Sequence, residues 1–191
     1  MRRAVELDPA NLKYNDNLAE GYQNAWEYDH ALVQLNKTIA MYPDSSILYN
    51  DLGDLYRAMG NYDLWLESWR KQAELSTNQN RVALIDQISR AYRAGGYLAA
   101  VRRIIQVKQQ RLPHVYVDPA EIAYEYAATG NKEATFLWLE KAYREHSRSL
   151  QPIQVQPTMN GFRSDPRYLD LLHRMGMRNQ GLESLSSSAL Q

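Results

Sequence analysis

An apolar residue followed four positions later by tyrosine recurs along the chain: Leu18 and Tyr22, Leu52 and Tyr56, Ile88 and Tyr92, Ile122 and Tyr126. A spacing of four places both side chains on one face of a helix. The residue after the first apolar position is small each time, as Ala19, Gly53, Ser89 and Ala123. The tyrosines step by 34, 36 and 34 residues. Pro9 and Pro43 also lie 34 apart, as do Tyr28 and Tyr62, and Leu35 aligns with Trp69. Glycine recurs at Gly60, Gly96 and Gly130. The pattern predicts two-helix units. The small residue lets the second helix approach the first, glycine ends the first helix where a left-handed backbone is needed, and proline closes the unit. Helical hairpins are predicted at about 11–43, 45–76, 80–111 and 117–148. Met1–Leu7 reads as the tail of a second helix, with Asp8-Pro9 as its exit, so the chain is expected to begin within a repeat.

With these residues in register, the chain resembles the tetratricopeptide repeat family. The match is best over Asp44–Thr77, through Tyr49, Leu52, Gly53, Tyr56, Gly60, Tyr62 and Trp69. The resemblance implies an all-α fold, a right-handed α-solenoid, with a partial first repeat at 1–9 and about four repeats over 10–148. The segments Gly130-Asn131-Lys132, Trp138–Ala142 and Arg163–Tyr168 resemble the end of repeat regions in large bacterial signalling and regulatory proteins. Some positions depart from the family pattern. Trp65 stands where the second helix normally carries alanine, Trp26 replaces the first turn glycine, and Thr77 replaces the closing proline. Two extra residues within Ser76–Asn80 predict an irregularity in the stack. After the array, 149–161 contains Pro152 and Pro157 without helical periodicity and reads as an ordered loop. Ser164 or Asp165 then caps a final helix that starts with Pro166, ends at Gly176 and turns Tyr168, Leu171, Leu172 and Met175 inward, completing a region of loop and capping helix at 149–178. The serine-rich 179–191 is expected to be a flexible tail.

Composition narrows the function. Hydrophobic residues make up 45% of the 191, enough for a sizeable core. The 22 basic and 22 acidic side chains cancel, which disfavours nucleic acid as a partner. The balance is uneven: residues 1–80 hold 7 Lys/Arg against 12 Asp/Glu, and residues 81–191 hold 15 against 10. Cysteine is absent, excluding disulfides and thiolate sites. No apolar run reaches the length of a membrane span, so no membrane insertion is expected. The expected compartment is the cytoplasm, with the periplasm open to an array belonging to a membrane-anchored protein.

No catalytic constellation, metal site or cofactor motif stands out. His30, His114, His146 and His173 are dispersed. Gly95-Gly96 reads as a turn rather than a phosphate cradle. Glu121 and Glu125 lie one turn apart without histidine partners. The basic run 102–111 reads as the solvated face of a second helix, with Ile104, Ile105 and Val107 inward. The expectation is therefore a non-enzymatic scaffold that binds a protein or peptide. The resemblance implies that first helices line the concave groove. Residues off their packing stripe are Asp16, Asn17, Glu20 and Gln23 in the first unit, and Asn50, Asp51, Asp54 and Arg57 in the second. The third offers Asp86, Gln87, Arg90 and Arg93, and the fourth Glu121 and Tyr124. Family members that hold chaperone C-terminal carboxylates use lysine and asparagine. Here Asp16, Glu20, Asp51, Ala83 and Gln87 occupy those positions and repel a carboxylate or fail to bind it. The early groove is acidic and suits a ligand carrying lysine or arginine. Trp65 reads as core, with an interface anchor as its other reading. The alternative function is self-association, with a homodimer formed through the opposed charges or through Trp65.

Overall fold

The computed structural model describes residues 1–178, and the tail expected over 179–191 lies outside them. The described residues are helical throughout, without a strand: α1 (Arg2–Leu7), α2 (Leu12–Asn24), α3 (Tyr28–Met41), α4 (Ser46–Ala58), α5 (Tyr62–Leu75), α6 (Gln79–Arg111), α7 (Pro119–Ala128), α8 (Lys132–Arg144), 3-10 segments at Arg148–Gln154 and Pro157–Phe162, and α9 (Pro166–Arg174). α6 is two helices broken at Gly95 and Gly96, where φ is −155° and +69°. The chain divides into two compact units, Met1–Arg93 and Ala94–Gln191.

In the first unit α2 packs against α3, α3 against α4, and α4 against α5. Ala19, Ala31, Leu35, Leu48, Leu52 and Leu55 form one buried cluster, with Tyr22, Tyr49 and Tyr56 packed at its edge. The recurring apolar and aromatic pair is thus the packing stripe of each first helix. Gly53 shows why the next position is small: a Cβ there would run into the indole of Trp69. Trp65 is fully buried, with its ring edge-on to Trp69 at 5.1 Å and to Tyr62 at 6.3 Å. The core reading of Trp65 therefore describes the structure. Tryptophan fits where alanine was expected because glycine at 53 makes room for the adjoining indole.

The helix ends repeat one device. The N–H of Glu27 donates to the Tyr22 carbonyl at 2.9 Å, and Asn61 N–H donates to the Tyr56 carbonyl at 2.8 Å. In the second unit Asn131 N–H donates to the Tyr126 carbonyl at 3.2 Å, and Met177 N–H to Leu172 at 2.9 Å. The residue before each donor is left-handed: Trp26 (φ +65°), Gly60 (+79°), Gly130 (+74°) and Gly176 (+70°). This closure satisfies carbonyls that the helix end would orphan. Trp26 holds the glycine conformation with a bulky side chain, and Thr77 does the same at φ +53°.

In the second unit α7 packs against α8, and both 3-10 segments pack on α7. The segment read as a loop is therefore short 3-10 helix, and it buries Leu150, Ile153, Met159 and Phe162. Its bonds follow a three-residue repeat interrupted by proline, so no 3.6-residue periodicity was there to read. α9 buries Tyr168, Leu171 and Leu172, and Asp165 caps it by accepting from the Arg167 N–H at 3.1 Å. Arg167 also pairs with Glu133 of α8 at 2.9 Å. One helix repeat further along, Arg174 pairs with Glu140.

Candidate functional site

All ten polar residues singled out as ligand contacts lie in the first unit, on α2, α4 and the first half of α6. Three of them converge. Asp16 of α2 and Asp51 of α4 are within hydrogen-bonding reach of each other, and Asp54 acts on Asp51 from the next turn. The Asn50 amide donates to Asp51 Oδ1 at 3.4 Å and to Asp54 Oδ2 at 3.3 Å. Asp54 Oδ1 also accepts from the Trp69 indole N–H at 3.3 Å, so the acidic face is fixed to the aromatic core of the second hairpin. Burial, and then the negative charge of Asp16, push the Asp51 carboxyl up to about 7, against the opposing hydrogen bond from Asn50. Two carboxyl groups that share a hydrogen bond hold one proton between them.

The remaining residues are placed differently. Asn17 is half-buried beside Asp16, and Glu20 is exposed one turn on. Arg57 lies over the Trp65 ring, 5.0 Å from its centroid, where it covers the buried indole. Asp86 is ion-paired with Arg70 of α5. Arg90 and Arg93 are exposed on α6. The structure therefore gathers an acidic face from two consecutive hairpins and assigns Arg57 and Asp86 to contacts within the fold.

Sequence reasoning missed Asn15. It is fully buried, donating to the carbonyls of Pro9 at 2.9 Å and Asn11 at 2.8 Å, and accepting from Gln34 of α3 at 2.7 Å. It stands 34 residues before Tyr49, so a polar residue on the packing stripe was the available signal. This chain of hydrogen bonds fixes α2 immediately beside Asp16.

In the second unit the carboxylates of Glu121 and Glu125 flank a cation. Lys108 lies 3.1 Å from Glu121 and 3.6 Å from the buried Glu125. The basic run that contains Lys108 buries Ile104 and Ile105 and leaves Arg102 and Arg111 exposed. Among the described residues no three His, Asp or Glu side chains are grouped to hold a metal ion, and no helix is long and apolar enough to cross a membrane. The chain matches no family model and no curated protein. The class defined by the structure is an all-helical protein whose consecutive helices pack against each other.

Proposed function

We propose that this chain is a tetratricopeptide-type α-solenoid scaffold, a non-enzymatic regulatory region of a larger bacterial protein. Its ligand is a protein or peptide carrying lysine or arginine. The observation that supports this reading is the convergence of Asp16, Asp51 and Asp54 from two consecutive hairpins. Carboxylates crowded in this way repel one another, and a cationic side chain seated among them relieves that repulsion. Glu20 extends the negative face, and Asn50 adds a neutral donor already aligned along it. Both hairpins keep the repeat in register, including the small residue and the left-handed turn at which the family resemblance rests.

The test is a fluorescence-anisotropy titration with labelled lysine-rich, arginine-rich and acidic peptides at pH 8. Basic peptides are expected to bind, and to weaken between 0.05 and 0.5 M salt as screening shortens to about 3–4 Å. Asp16→Asn combined with Asp54→Asn is expected to lower affinity at least about tenfold, given roughly 1.5–3 kcal/mol per hydrogen bond to a charged group. Equal or tighter binding of the acidic set sinks the reading. Self-association through Trp65 is disfavoured by its burial.

A further inference from the structure

We propose that the contact between Asp16 and Asp51 is a latch between the first two hairpins, held closed by one shared proton and loosened when that proton is lost. The proposal needs no ligand. Asp16 belongs to the α2–α3 hairpin and Asp51 to the α4–α5 hairpin, and α2 meets α4 directly. A carboxylic acid and a carboxylate in contact make a short, charge-assisted hydrogen bond. Two carboxylates at the same separation repel, and partial burial limits how far water screens them.

The surroundings determine which way the latch moves. From α2 the seam receives Asp16, with Glu20 exposed one turn further. α4 itself adds Asp54 and Arg57, and Arg57 is engaged on the Trp65 ring. α3 contributes Gln34 and Thr38, both neutral, to the chain on Asn15. From α5 come Trp69, which donates to Asp54, and Arg70, which is paired with Asp86 of α6. The charges acting most strongly on Asp51 are thus both negative. Asn50 bridges Asp51 and Asp54 on one helix and cannot neutralise either.

The closed form takes up its proton with a pKa near 7, and an opened, solvated Asp51 has the ordinary value of 3.8. A carboxyl whose pKa is raised on closing contributes most below its open-state value. That contribution is lost as pH rises through the closed-state value. Between pH 6 and pH 8 the opening equilibrium therefore grows about tenfold.

Native-state hydrogen exchange on the full chain reads this directly. Opening constants of α2 and α4 amides, corrected for intrinsic exchange, are compared at pH 6 and pH 8, with α8 amides as reference. The expected result is a roughly tenfold increase confined to α2 and α4. The same increase is expected to be absent in Asp51→Asn and in Asp16→Asn. Flat wild-type values overturn the proposal, as does a tenfold response that survives in Asp51→Asn. Carbon-13 titration of the wild-type Asp51 carboxyl guards against a variant that misfolds: a midpoint near 7 supports the latch, and a midpoint near 4 overturns it.

Discussion

Replacing Trp65 by alanine tests whether the second hairpin is organised around a tryptophan pair. The indole is fully buried, edge-on to both Trp69 and Tyr62, and roofed by the Arg57 guanidinium. Truncation removes the transfer free energy of the ring and leaves a cavity that α4 and α5 cannot close, because Trp69 already abuts Gly53. Large aromatic-to-alanine changes in cores cost about 3–5 kcal/mol. Two lost aromatic contacts place the change toward the upper end of that range, at about 0.5–1.5 kcal/mol each. With a urea m-value of about 2 kcal/mol/M, the midpoint followed by circular dichroism is expected to fall by about 2 M. Trp65→Phe keeps an edge-on ring and is expected to lose less than half as much. A Trp65→Ala midpoint within about 0.3 M of wild type refutes the reasoning, since no buried tryptophan is removed so cheaply.

Lys108→Met strands the buried Glu125 without its lysine. The expected cost is about 2–4 kcal/mol at pH 8 and less at pH 5, where Glu125 takes up a proton; thermal melts at both pH values measure it. Gly130→Ala forces a Cβ into a left-handed turn at φ +74° and is expected to cost about 1 kcal/mol in urea denaturation. Thr77→Asn moves the other way. Thr77 is exposed, β-branched and left-handed at φ +53°, so asparagine is expected to stabilise by about 0.5–1 kcal/mol and raise the melting temperature.

The helices were legible because each is marked twice, by an apolar and aromatic pair at its centre and by a turn residue at its end. Trp26 shows that register outweighs residue type, since its position in the repeat fixes the left-handed turn that its side chain resists. The stretch 149–161 was illegible as helix because 3-10 turns with proline carry no 3.6-residue signal. At the candidate site the stripe identified which face of α2 and α4 is polar. It did not tell which polar residues meet. Arg57 and Asp86 look like surface charges in sequence, yet a ring 8 residues along and an arginine 16 residues back engage them. Asn15 broke the apolar pattern where it packs, and only its three hydrogen bonds explain how it is buried there.

Within each unit, helices meet mainly the helix that follows them in the chain. Bringing such partners together closes loops of a few residues, so little entropy is spent before contacts form. Chains with contacts this local fold in microseconds to milliseconds. Each hairpin can also gain or lose its structure with only its neighbours responding, as in other quasi-one-dimensional arrays. Kinetically, the α2–α3 and α4–α5 hairpins are expected to behave as adjoining cooperative elements, so denaturation traces at the two are expected to separate in time.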